Sequence, residues 1–210
     1  MKRTVLTLMV ISLVVVFAAS SALAFGLGDI KKMKSKLKKE VKTFVLSDVD
    51  ASLKEYEGTD LDPGKEIGAV AVYGDKDYDG IATSLAKMEL GLTFAQNVLK
   101  DTDAKLAEVK DPEELDKLKK NNELAQKALE ALMGDGAKLV ASATSFTGGL
   151  QGKIKEDPMG YGKYGADMGK TMKKTKKVVD QIKPTIDQLI ATVGKITEKG
   201  KAMAADATAE

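Results

Sequence analysis

Cysteine, histidine and tryptophan are absent from the chain, and each absence removes a class of chemistry. Without cysteine there is no disulfide frame, no thiolate metal site and no acyl-thioester intermediate, and cysteine usage says nothing about the redox compartment. Without histidine, acid–base catalysis would fall to carboxylates, lysine, tyrosine or serine in a cleft, and no pair of these is placed by more than chance. Aromatic residues make up 5% of the chain, which suits slender helix packing better than a core with a deep pocket. Proline is scarce too. Of the four prolines, Pro63, Pro112 and Pro158 fall where the hydrophobic pattern breaks, and only Pro184 lies inside a periodic segment.

What the chain does have is 43% hydrophobic and 30% charged residues over 210 positions, enough for one domain with a core. Its start reads as a signal peptide over residues 1–24. Lys2 and Arg3 are basic, Val5 to Phe17 is apolar apart from Thr7 and Ser12, and Ala22-Leu23-Ala24 offers small residues at a cleavage site. An uncleaved anchor is the alternative, because no charge occurs from Thr4 to Gly28, a length that could span a bilayer. No cysteine follows the apolar run, which excludes a lipoprotein anchor. Residues 1–24 hold two basic and no acidic residues, so cleavage takes the formal charge from +2 to zero. A neutral mature protein, residues 25–210, is a poor candidate for general nucleic-acid binding.

Three segments repeat apolar residues at alternating steps of three and four, the spacing of one helix face. The first runs Ile81, Leu85, Met88, Leu92, Ala95, Leu99, Thr102, Leu106 and Val109, with Thr102 its one polar position. The second runs from Leu115 and Leu118 through Asn122, Ala125, Leu129, Leu132, Gly136 and Leu139 to Leu150. The third runs from Tyr161 and Gly165 through Met168, Met172, Thr175, Ile182 and Leu189 to Met203. Asn122 on a seam would set the register of the packing at some cost in stability. Between the first two seams, Asp111-Pro112-Glu113-Glu114 reads as an N-cap, a proline at the first helical position and an acidic first turn. So short a break predicts an antiparallel hairpin; one continuous helix kinked at Pro112 is the alternative. Asp157-Pro158 opens the last helix, and Pro184 is expected to kink it. Gly134, Gly136, Gly148 and Gly149 soften the helix before it.

Ahead of the seams, Asp29 to about Glu57 is lysine-dense, with apolar Ile30, Met33, Leu37, Val41 and Phe44 and then Val45, Val49, Leu53 and Tyr56. This spacing predicts a further helix whose stripe slips by one residue near Phe44. Residues 58–78 then form an acidic connector, in which Ile67 to Tyr73 has strand-like content but no evident partner, and so reads as an extended link. The expectation is therefore an all-α fold, an elongated antiparallel bundle of about four long helices with coiled-coil-like heptad packing, at 29–57, 79–110, 112–154 and 161–203.

Three functional readings follow. The leading one is an exported, non-enzymatic interaction protein of the periplasm or exterior, a scaffold or chaperone-like factor whose partner is an envelope protein or a second copy. The second is a membrane-surface binder using Lys31, Lys32, Lys34, Lys38 and Lys39 on anionic lipid. The third is a calcium-dependent module. Asp75, Asp77 and Asp79 followed by Gly80 resemble the opening of an EF-hand loop, although position twelve is Ala86 rather than a closing glutamate. An acidic cap on the following helix accounts for the same residues. Beyond calcium no cofactor is expected. Gly160, Gly162 and Gly165 have the dinucleotide-binding spacing, but no strand precedes them and no crossover unit surrounds them. Gly165 and Gly169 read better as a close helix approach.

Overall fold

The computed structural model describes residues 36–56 and 64–207. The signal segment, residues 1–24, lies outside the described residues, as do Lys31, Lys32 and Lys34. The described chain is mostly helical. Strand β1 (Glu40–Val45) leads into two 3-10 turns (Leu46–Asp48 and Ala51–Glu55), followed by strand β2 (Ile67–Val72) and helices α1 (Lys76–Leu106), α2 (Pro112–Glu156) and α3 (Tyr161–Ala207). No described helix is long and apolar enough to cross a membrane.

The helix starts follow the capping chemistry. Asp75 caps α1, its carboxylate accepting from the Tyr78 amide at 2.9 Å. Asp111 caps α2 by accepting from the Glu113 amide at 3.0 Å, with Pro112 at the first helical position. The chain therefore stops and restarts at Pro112. At the other end of α1, the Lys199 ammonium from α3 donates to the Leu106 and Ala107 carbonyls, which have no partner inside the helix.

Every position of the three seams is buried or half-buried. Contacts between the helices run in definite directions. Thr102 of α1 meets Asn122 of α2, whereas Gly91, earlier in α1, lies against Leu129 and Leu132, later in α2, so these two helices run oppositely. Leu115 lies against Gly200, Gly136 against Val179 and Ile154 against Gly165, so α2 and α3 also run oppositely. The Tyr78 hydroxyl reaches Thr171, and Lys199 reaches Leu106, which sets α1 and α3 side by side in the same direction. α3 passes through Pro184 as one helix.

The expected helix at 29–57 does not form in its described part. Glu40 to Val45 pairs antiparallel with Ile67 to Val72, Val41 opposite Ala71 and Val45 opposite Ile67, so the described residues hold three long helices and a two-stranded sheet rather than four long helices. The reason lies in α1, which is buried on two faces. Beside its seam it buries Ala82, Ala86, Leu90, Phe94 and Val98. A second apolar face needs a second cover, and the sheet and 3-10 turns supply it. The Tyr56 ring meets Phe94 edge-on at 5.0 Å. Gly68 sits over Ala86 and Leu90, where a Cβ would lie 3.4 Å from Leu90 Cβ. Val41, Thr43, Phe44 and Val45 are β-branched or aromatic, and the slip in the stripe at Phe44 marks the end of a period-two segment, not a helical stutter. The strand-like Ile67 to Val72 has its partner in the stretch read as helix.

Close packing is sharpest at Gly91. A Cβ there would come 2.8 Å from Leu132 Cδ1 and 3.1 Å from Val49 Cγ1, so glycine lets the turn after β1 and helix α2 close on α1 together without either side chain moving aside. Gly165 lies close to α2, with Ile154 Cδ1 3.3 Å from its would-be Cβ, whereas Gly169 faces open space.

Candidate functional site

The acidic hexapeptide Asp75 to Gly80 sits where α1 begins, and its three carboxylates do three different things. Asp75, 7% exposed, caps the helix through Tyr78 and binds the Lys153 ammonium at 2.8 Å, near the end of α2. It also accepts from the Tyr161 hydroxyl at the first turn of α3. Asp77 is exposed and lies 3.5 Å from the same Lys153. Asp79 turns back to accept from the Tyr73 and Gly74 amides, both at 2.8 Å, tying the end of β2 to α1. Gly74 has φ of +80°, a left-handed turn that suits glycine. Among the described residues, no group of three acidic side chains is arranged to hold a metal ion.

Around this cluster lie four of the five tyrosines. Tyr73 and Tyr164 stack at 4.3 Å between centroids, and Tyr73 and Tyr78 are 5.3 Å apart. The Tyr73 hydroxyl donates to Asp167 and the Tyr78 hydroxyl to Thr171, both on α3. Lys153 lies over the Phe146 and Tyr161 rings at 5.3 and 5.5 Å. Three helices and the sheet thus converge on one network of charge and aromatic contact.

The electrostatics lock it. Burial pushes the Asp75 carboxyl up, but hydrogen bonds from Lys153, Tyr161 and the Tyr78 amide, with the Lys153 charge, outweigh it and hold the group below the ordinary carboxylate range. Burial alone would lower Lys153, yet Asp75 raises it to about 12. Burial and then the Asp75 hydrogen bond bring Tyr161 to about 12, and burial followed by its Tyr78 and Asp167 neighbours does the same for Tyr73. At neutral pH the carboxylate stays ionised while the ammonium and phenols stay protonated, so the set acts as a clamp between the start of α1, the end of α2 and the start of α3.

Of the lysines singled out in the sequence, Lys38 and Lys39 are described. Both are exposed on the approach to β1, and Lys39 lies 4.0 Å from Asp167. On α3, Lys174 pairs with Glu89 of α1. Lys153 and Tyr161, which complete the Asp75 cluster, escaped sequence reasoning. They lie 78 and 86 residues from Asp75, and no local spacing signals contacts so remote.

A second surface feature lies on the sheet. Gly68 and its partner Phe44 face α1, so alternation puts Val41, Thr43, Val45, Ile67 and Ala69 on the opposite face. Val41 is 66% and Ile67 63% exposed, the two most exposed large apolar side chains described. No protein-family model, curated protein or solved structure matches the chain.

Proposed function

We propose that this is an exported, non-enzymatic protein of the cell envelope that acts by protein–protein contact, as a scaffold or chaperone-like factor. In this reading α1, α2 and α3 pack as an elongated antiparallel bundle with coiled-coil-like seams, and the two-stranded sheet is a fourth element laid along α1. At about 1.5 Å per residue, the 45 residues of α2 and 47 of α3 give a rod of roughly 65–70 Å. The observation that carries the proposal is the outer sheet face, where Val41 and Ile67 stand in solvent on a sheet packed against α1. Grouped apolar exposure rimmed by charge is characteristic of a contact site.

The test places a photo-activatable crosslinking residue at position 41 or 67 of the full chain in living cells. Adducts in the envelope fraction from these positions, and none from position 138, whose lysine side chain is 84% exposed on α2, are expected. Adducts equal at all three positions, or a chain retained in the cytoplasm, would overturn the proposal. Small-angle scattering checks the rod shape independently, and a compact envelope would contradict it.

A further inference from the structure

We infer that the end of the bundle around the α1–α2 turn is a separately opening unit, hinged at a layer of buried polar side chains, whose opening uncovers apolar surface while the rest of the fold stays closed. The unit comprises the end of α1 from Asp103, the turn, the start of α2 to Lys120, and α3 from Val193 onward. It lies beyond the part of α1 that the sheet and the 3-10 turns cover, and its opening does not depend on the outer sheet face binding a protein.

The buried apolar side chains form two separate clusters. The larger ends at Leu99, Leu124 and Leu189. The smaller holds Val109, Leu115, Leu118 and Ile196, with Leu106 and Met203 packed on it. Between the two, each helix buries polar side chains in place of apolar ones: Thr102 in α1, Asn121 and Asn122 in α2, and Thr192 in α3. Asn122 donates to Thr102 at 2.7 Å, and the register set by Leu115 against Gly200 and Gly136 against Val179 brings Thr192 to the same level. The layer interrupts the apolar contact that would otherwise couple the clusters. It also costs free energy, because the side-chain carbonyls of Asn121 and Asn122 are buried without a hydrogen-bond partner. Gly194, two residues beyond Thr192 and facing open space, weakens α3 at the same point.

The two ends of the bundle are held differently. At the clamp end, Asp75 joins three helices through the Tyr78 amide, Lys153 and Tyr161, and the Tyr73 and Tyr78 hydroxyls reach α3. Beyond the polar layer, the small cluster and the Lys199 ammonium on the Leu106 and Ala107 carbonyls hold α3 to the hairpin. Regions with few buried apolar contacts open at free energies below that of global unfolding. Parting α3 from the hairpin there exposes Val109, Leu115, Leu118 and Ile196 and leaves the larger cluster whole. Lys199 is the latch. Losing its bonds favours the open form, whereas apolar side chains in the polar layer would couple the unit to the rest of the core.

Hydrogen exchange of the mature chain, followed by mass spectrometry across a denaturant series below the global transition, tests it. Amides of Asp103 to Leu106, Asp116 to Lys120 and Thr197 to Met203 are expected to share one protection value, at least about tenfold below that of the helix turns around Leu85, Leu129 and Ile182. Lys199→Met should lower the shared value about tenfold further, through loss of a charge-assisted hydrogen bond, and leave the other turns unmoved. Thr102→Val combined with Asn122→Leu should raise it toward the value of the larger cluster, because the two clusters then touch. Circular dichroism checks that both variants keep the wild-type helicity, and the wild-type profile by itself decides whether the unit exists. One protection value along all three helices overturns the inference. So does protection that falls residue by residue along the last turns of α3 while the ends of α1 and α2 keep the value of the larger cluster, which is ordinary fraying of a terminus. A folded double variant whose two regions differ as much as in the wild type overturns the hinge at the polar layer.

Discussion

Replacing Lys153 with methionine removes a cation that neutralises a carboxylate buried among three helices. The Asp75 side chain is 5% exposed and that of Lys153 is 28% exposed, so the pair is shielded without being sealed. Two routes give its magnitude. The rise of Lys153 from its ordinary 10.5 to about 12 corresponds to about 2 kcal/mol of preference for the charged form in the folded state. A charge-assisted hydrogen bond contributes about 1.5–3 kcal/mol, less than the cost of breaking a fully buried pair because Lys153 still touches water. Asp75 keeps the Tyr78 amide and the Tyr161 hydroxyl, which limits the damage. Both routes thus lead to about 2 kcal/mol, or a melting temperature lower by about 4–8 °C for a chain of this size.

The pH dependence of that gap identifies its source. Asp75 has a folded value below its unfolded one, so its contribution is present above the unfolded carboxyl value near 3.8 and fades as pH falls through the folded value. Lys153 has a folded value above its unfolded one, so its contribution is complete below 10.5 and fades as pH rises through about 12. The two shifts describe one interaction and are not added. Thermal melts followed by circular dichroism should therefore show the gap between wild type and Lys153→Met at full size near neutral pH and shrinking below about pH 4. Lys138→Met, which removes an 84% exposed partner of Asp135, should be nearly silent. A gap that does not vary with pH, or one no larger than that of Lys138→Met, would refute the clamp.

Leu129 is fully buried, and Leu129→Asp should cost several kcal/mol, whereas Lys127→Asp on the exposed side of α2 should barely move the melting temperature. Gly148→Ala with Gly149→Ala should raise it, each adding about 0.5–1 kcal/mol of stability, because nothing lies within 4 Å of either would-be Cβ; Gly91→Ala should lower it, because Leu132 and Val49 already occupy that space. Asn122 Nδ2 donates to Thr102 Oγ1 at 2.7 Å and to the Leu118 carbonyl at 2.8 Å, but its Oδ1 has no hydrogen-bond partner. Asn122→Leu combined with Thr102→Val should therefore melt at or above wild type, while Thr102→Val alone, which leaves one Asn122 N–H without its partner, should melt lower. A calcium ion bound by Asp75, Asp77 and Asp79 would have to displace Lys153 from the first two and backbone amides from the third. Millimolar calcium is accordingly expected to leave the wild-type melting temperature unchanged, and a clear rise would support the calcium reading.

The helical part of the fold was legible because its information is local. Seams from Ile81 to Met203 repeat with the helical period, the Asp111-Pro112 cap marks its own helix start, and a five-residue break leaves the hairpin little choice of direction. What stayed hidden depends on partners distant in the chain. Glu40 to Val45 has apolar residues that fit a helical stripe and a strand alike. The choice falls to the strand because α1 carries a second apolar face that Gly68, Val70 and Phe44 help to cover, and because Ile67 to Val72 offers a ladder more than twenty residues away. The acidic hexapeptide showed the same limit. Its alternating aspartates are compatible with an ion site or a helix cap, and local sequence could not reveal that Lys153 and Tyr161 would arrive from two other helices. Periodicity and capping are settled within a few turns of chain, whereas strand pairing and the partners of a buried charge are settled only when remote segments meet in three dimensions.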